Sequence, residues 1–232
     1  MILNDKVVVI TGASYGLGES LARILTAKGA KLVISSRSKD KLEKLATEIG
    51  ADFVVADVSK EEDINKLTNE ALTRFGRIDL WINNAGVWLS KSLIEHIDMN
   101  KAKAMFETNV FGTVYGTRSA LVEMKKQNAG TIVNIISTSG LNGRPNTVMY
   151  CASKYAVRGF TESLQEELKD SPIKLIAVYP GGIKTFLFNE DTPADFETFM
   201  SPESVAEKII TNLEKENPDK ELIIKRPALA AK

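Results

Sequence analysis

Val7-Val8-Val9-Ile10-Thr11-Gly12-Ala13-Ser14-Tyr15-Gly16-Leu17-Gly18 is the stretch that decides the fold. Its first four residues are all apolar and β-branched, which favours a strand buried on both faces. Three glycines then crowd into a turn, and an amphipathic stretch, Glu19 to Lys28, follows at once. Glycine lets a backbone turn tightly and approach a pyrophosphate, whose charge then meets the positive end of the following helix. Gly12, Ser14, Tyr15, Gly16, Leu17 and Gly18 are therefore candidates to cradle phosphate.

The same letters admit a second reading. Gly12-Ala13-Ser14-Tyr15-Gly16 fits the G-x-S-x-G elbow of a serine hydrolase, with Ser14 as nucleophile. That chemistry needs a histidine base, and the chain has one histidine, His96, in the amphipathic patch Leu93 to Asp98. An elbow also belongs in mid-sheet rather than on a first strand, so this reading is the weaker one.

Outward from the turn, short apolar runs recur: Leu32 to Ile34, Phe53 to Ala56, Ile78 to Ile82, Ile132 to Ile136, Leu175 to Tyr179 and Leu222 to Ile224. Longer amphipathic stretches separate them: Lys41 to Ile49, Glu61 to Phe75, Ala102 to Gln127, Lys154 to Lys169 and Glu203 to Glu216. Ser59-Lys60-Glu61-Glu62 reads as a capping box, and Ser201-Pro202 as a cap before a first-turn proline. Strand–helix alternation of this kind predicts an α/β fold. Its core is one Rossmann-like, doubly wound parallel sheet of about seven strands with helices on both faces. No linker or repeat divides residues 1–232, so a single domain is expected.

Composition removes several functions. The 30 Lys and Arg balance the 30 Asp and Glu, so no global charge favours nucleic acid or an anionic membrane. One cysteine, Cys151, cannot form an internal disulfide, and with one histidine the chain lacks the usual ligands for a zinc or iron site. No apolar run approaches a membrane span of about 20 residues. Met1 to Lys6 lead into the first strand without a leader pattern, so a reduced, cytoplasmic setting is expected.

From Lys6 to Thr185 the chain resembles the classical short-chain dehydrogenase/reductases. Beyond the glycine turn, the resemblance rests on Asp57-Val58, Asn83-Asn84-Ala85-Gly86, Asn109, Ser137, Tyr150-Cys151-Ala152-Ser153-Lys154, and Pro180-Gly181 followed by Thr185. Ser137 stands thirteen residues before Tyr150, at the end of a strand, and every motif falls in family order. The resemblance implies an NAD(P)-dependent oxidoreductase that interconverts a small-molecule carbonyl and an alcohol. A non-catalytic NADP-sensing regulator on the same fold is the alternative.

Within that resemblance, Asn109, Ser137, Tyr150 and Lys154 are the catalytic set. Tyr150 and Lys154 are four apart and share a helix face. Tyr150 is expected to act as general acid and base, with the Lys154 ammonium and the positive nicotinamide of an oxidised cofactor lowering a phenol that ordinarily ionises near pH ~10. Lys154 is also expected to hold the nicotinamide ribose, Ser137 the substrate oxygen, and Asn109 a kink that carries a water on the proton relay. Asp57 and Val58 are expected to flank the adenine, while Asn84, Ala85 and Gly86 pass the adenosine side and central ribose. Pro180, Gly181, Ile183 and Thr185 approach the nicotinamide. NAD-preferring relatives carry an acid near Ser36; here there is none and Arg37 follows, which predicts NADP(H) over NAD(H). A second basic residue often found in the glycine turn is replaced by Tyr15.

Past Thr185 the resemblance thins. Phe186, Phe188, Phe196 and Phe199, with Leu187 and Met200, suggest an apolar substrate lid over about residues 186–201. Trp88, Leu141 and Met149 are further pocket candidates. The family's habit of pairing through its two long central helices predicts a homodimer or homotetramer. Glu221 to Pro227 reads as a last strand and short tail.

Overall fold

The computed structural model describes residues 1–188 and 191–226. Seven parallel strands are laid down in order: β1 (Val7–Thr11), β2 (Lys31–Ser36), β3 (Asp52–Val55), β4 (Leu80–Asn83), β5 (Gly130–Ile135), β6 (Ile173–Pro180) and β7 (Glu221–Ile224). Their spatial order is β3-β2-β1-β4-β5-β6-β7. The chain builds outward from β1 to one edge, then returns to β1's other side and builds outward again. The C-terminal ends of β1 and β4 therefore flank a topological switch point, where open α/β sheets bind ligands. The expected strand Glu221 to Pro227 forms as β7, and its final residue, Pro227, lies outside the described residues.

Among the described residues seven α-helices cover the two faces: α1 (Gly16–Ala27), α2 (Lys39–Ile49), α3 (Glu61–Phe75), α4 (Met99–Phe106), α5 (Gly112–Gln127), α6 (Val148–Glu167) and α7 (Pro202–Glu214). On one face, Leu21 and Leu25 of α1, Leu42 of α2 and Ile209 of α7 bury against Ile10, Ile34 and Val178. On the other, Ile64 and Leu67 of α3 and Met124 of α5 bury against Val9, Val33, Trp81 and Ile132. Strands apolar on both sides are what this sandwich requires.

Two local readings need correction. The capping box at Ser59 does not form. Lys60 occupies the N-cap of α3 without a side-chain cap. The Ser59 hydroxyl is spent on Asp57 Oδ1 at 2.7 Å, and Asp63 Oδ2 instead accepts from the Asp57 backbone N–H at 3.0 Å. Ser201 does cap α7, accepting from the Ser204 N–H at 3.1 Å ahead of Pro202. The single long helix read over Ala102 to Gln127 is interrupted: a π-helical turn, Glu107–Phe111, joins α4 to α5. Asn109 lies inside it, and the Thr113 hydroxyl donates to the Asn109 carbonyl at 2.9 Å. Such a widened turn is the helix distortion expected at this asparagine.

A buried polar chain fastens α5 and α6 to the sheet. Trp81 Nε1 donates to Asn83 Oδ1, Asn83 Nδ2 to Thr117 Oγ1 and Asn134 Oδ1, and Asn134 Nδ2 to Thr161 Oγ1, all at 2.8–3.0 Å. Among the described residues, no helix is long and apolar enough to cross a membrane.

Candidate active site

A cavity of about 390 Å³ opens along the C-terminal strand ends. At one end α1 starts at Gly16 behind an N-cap, Tyr15, that makes no side-chain cap, so its first N–H groups are left for a ligand. Gly12, Ser14, Tyr15, Gly16 and Leu17 line this end. Gly12 and Gly16 have φ of 65° and 61°, and a Cβ on them would come within 2.7 Å of Ala85 Cα and 2.8 Å of Thr185 Cγ2. Gly18 does not line the cavity; a Cβ there would strike the Gly12 carbonyl and the Asn84 amide, so it sets how closely α1 approaches β1 and β4. An uncapped helix start over a glycine turn fits a pyrophosphate. Ser14 faces no base, because His96 is exposed on a separate short turn, Ile94–His96, and does not line the cavity.

Asn84 ties the two central strand ends together. Its Nδ2 donates to the Thr11 and Gly12 carbonyls at 3.0 Å each, while Thr11 Oγ1 accepts from the Asn84 and Ala85 N–H groups at 3.1 Å. Ser36, Arg37, Asp57, Val58, Asn84, Ala85 and Gly86 all line the cavity, as do Pro180, Gly181, Ile183 and Thr185. One residue was missed. Lys41, from α2, holds its ammonium 5.6 Å from the Tyr15 ring centre and 5.3 Å from that of Phe186. The two rings meet edge to face at 5.8 Å. A basic group thus reaches Tyr15 from a different element than the glycine turn.

At the other end Ser137, Tyr150 and Lys154 line the cavity together. Ser137 follows β5 with φ of 152°, a conformation side chains rarely adopt, and its Oγ accepts from the Ser139 N–H at 3.0 Å. Lys154 Nζ sits 5.7 Å from the Tyr150 ring centre and donates to the Ile135 carbonyl at 3.4 Å. Burial pushes the Tyr150 phenol up to about 12, against a lowering hydrogen bond from Ser137. Burial pushes Lys154 down to about 8. The expected lowering of the phenol needs the bound cofactor's positive charge as well as Lys154; in the ligand-free protein loss of water dominates and Tyr150 stays protonated at neutral pH. Asn109 lies behind this end rather than on its surface. Its Oδ1 accepts from the Val87 N–H at 2.8 Å, and its Nδ2 donates to the Val87 carbonyl at 3.0 Å and Ser153 Oγ at 3.2 Å.

Of the substrate candidates, Trp88 and Phe188 line the cavity, with ring contacts from Trp88 to Tyr150 at 4.7 Å and to Phe188 at 5.4 Å. Leu141 packs instead on the cluster of Ile136, Val157, Ala177 and Tyr179. Met149 and the exposed Phe186 do not line it. The segment read as a lid is pinned at its base: Ile183 and Met200 form a parallel bridge, and the Met200 N–H donates to the Gly182 carbonyl at 3.0 Å. Phe188, Phe196 and Phe199 stack on one another at 5.3–6.2 Å. Residues 189 and 190 of this segment lie outside the described residues. Lys91, Arg144, Asp195 and Arg226 also line the cavity. No local sequence signal marks them, since charged residues in connections are ordinarily solvated.

Comparisons with known proteins bear on the family and the fold. A family model described as short chain dehydrogenase matches residues 6–195. An uncharacterized oxidoreductase of Staphylococcus saprophyticus is 37% identical over 220 residues, covering 89% of each chain. An alcohol dehydrogenase from Thermococcus sibiricus, solved with 5-hydroxy-NADP, superposes with a TM-score of 0.89 at 27% identity, over 99% of this chain and all of that one. A 3-ketoacyl-(acyl-carrier-protein) reductase from Brucella melitensis, solved with NADH, gives 0.89 at 31% identity, over 96% of this chain and 97% of that one.

Proposed function

Because the chain belongs to the short-chain dehydrogenase family and is an oxidoreductase of that family, we propose that it interconverts a small carbonyl compound and an alcohol with NADP(H). The observation that carries this reading is the convergence of Ser137, Tyr150 and Lys154 at one end of a cavity whose other end is the glycine cradle. A bound nicotinamide supplies or accepts the hydride. The chain's own residues do the rest. The cradle holds the pyrophosphate, Asp57 and Val58 the adenine, and Lys154 the nicotinamide ribose. Ser137 donates its hydroxyl to the substrate oxygen, whose lone pairs accept it, while Tyr150 delivers a proton to that oxygen in reduction and removes it in oxidation. Asn109 positions Val87 and Ser153 beneath the site.

Preference for NADP(H) is supported by Arg37 on the cavity wall, by Lys41 over the Tyr15 ring, and by the lack of an acid at the end of β2. The related structures hold one cofactor or the other, so this preference is the chain's own. A homodimer or homotetramer is supported by the exposed apolar side chains Phe111, Val122, Val148 and Tyr155 on and beside α5 and α6. A cytoplasmic setting suits Cys151, a buried free thiol.

The test is NADPH and NADH consumption across aldehydes, ketones, quinones and oxoesters, repeated with Arg37→Asp. Turnover that favours NADPH, with the preference reduced or reversed in the variant, is the expected result. NADPH binding without turnover on any carbonyl would favour a cofactor-sensing regulator.

A further inference from the structure

The cavity beyond Tyr150 carries positive charge that hydride transfer does not use. Arg226 is spoken for: it pairs with Asp195 at 2.6 Å, donates to Thr198 Oγ1 at 3.1 Å and stacks 4.7 Å over Phe199. Lys91 has Asp191 close by, which accepts from its backbone N–H at 2.8 Å. Arg144 differs. Its guanidinium makes one hydrogen bond, Nη2 to Thr138 Oγ1 at 3.0 Å, beside Ser137, and among the described residues no acid pairs with it. That single bond holds the exposed guanidinium on the cavity wall and leaves most of its five donors open to solvent or a ligand. Beside it the Trp88 ring lines the same cavity, held edge-on by Tyr150 and Phe188. A guanidinium with open donors thus stands on the cavity wall next to aromatic rings. A carboxylate is the common group that satisfies a planar guanidinium through two parallel bonds.

We propose that the substrate is an oxo acid or hydroxy acid with an apolar body, its carboxylate held by Arg144 and its body packed on Trp88, Phe188 and Phe199. This rests on the oxidoreductase reading above and names the substrate class for the same site. Arg144 is then a specificity-determining residue, and Lys91 adds attraction at the entrance.

The test compares charged and uncharged twins. Phenyl-bearing 2-, 3- and 4-oxo acids and their amides are assayed with NADPH in the wild type, Arg144→Ala and Arg144→Gln. For at least one pair the acid is expected to exceed the amide in kcat/KM by about tenfold or more, and the ratio to fall within about threefold in both variants. A second readout needs no turnover: quenching of tryptophan fluorescence by 3-phenylpropanoate against 3-phenylpropanamide. The anion should bind more tightly to wild type and lose that advantage in the variants. Equal responses to acid and amide in wild type, or a preference that survives both substitutions, would overturn the proposal. Turnover of amides without an acid preference sinks the proposal and leaves the oxidoreductase reading intact. Arg144-dependent binding of 3-phenylpropanoate with no carbonyl turned over would keep the carboxylate site but overturn its assignment to the substrate.

Discussion

The two ends of the cavity are built differently. The cofactor end is made from backbone and small side chains at strand termini: Gly12 and Gly16 in turns with positive φ, and Asn84 stapling β4 to the Thr11–Gly12 turn. The substrate end is made from long side chains on connections, among them Arg144, Phe199 and Arg226. Backbone geometry admits few substitutes, whereas long side chains can be exchanged while the fold stands. One scaffold can thus keep its cofactor and vary its substrate.

The harshest way to break this comparison is to add volume at each end. Gly18→Val places a side chain against the Gly12 carbonyl and Asn84 amide, and should cost about 3 kcal/mol or more in unfolding free energy and weaken NADPH binding. Gly143→Val, in the substrate-side connection with nothing within 4 Å of its added Cβ, should cost less than about 0.5 kcal/mol. Urea unfolding of the pair measures the contrast.

Lys154→Met sharpens it next. Lys154 titrates near 8 when folded, below its ordinary 10.5, so the unfolded chain binds this proton more tightly. The charged lysine therefore weakens the ligand-free fold fully below about pH 8, and that penalty fades as pH rises toward 10.5. Replacement by methionine should stabilise the ligand-free protein at pH 7 by about 1–3 kcal/mol, with the gain shrinking by pH 9.5. Unfolding at the two pH values checks the sign. Tyr150 acts oppositely and at higher pH: its raised value adds stability below about 10, lost as pH climbs toward about 12.

Smaller effects follow at the substrate end. A Cβ on Gly182 would lie 2.7 Å from the Phe199 ring, so Gly182→Ala should displace that ring and raise KM about three- to tenfold, while the NADPH Kd holds within about twofold. Smallest is Lys41→Ala, expected to weaken NADPH about three- to fivefold and NADH hardly at all, as a partly screened charge should. Fluorescence titration of each cofactor reads it directly.

The same contrast explains what the sequence disclosed. Val7 to Ile10 and the other apolar runs announce buried parallel strands because their burial on both faces needs that composition. The glycine turn was legible from local geometry, whereas Ser137, Tyr150 and Lys154 were legible through the family resemblance, because Ser137 and Tyr150 lie on separate elements. Arg144 was not, since its approach to Thr138 depends on how the connection before α6 folds back. Lys41 was hidden for a similar reason: it meets Tyr15 across two elements. The interrupted helix at Asn109 was half visible, because asparagine signals distortion but not that the turn widens to π form. Nor does sequence weigh burial, which raises the Tyr150 phenol in the ligand-free protein.

The central claim is that Tyr150 moves the proton. Its most direct test is steady-state carbonyl reduction by Tyr150→Phe, with NADPH affinity measured on the same sample. The account predicts kcat/KM lower by about 10²- to 10⁴-fold, with NADPH affinity reduced by less than about tenfold. Turnover within about threefold of wild type would contradict it.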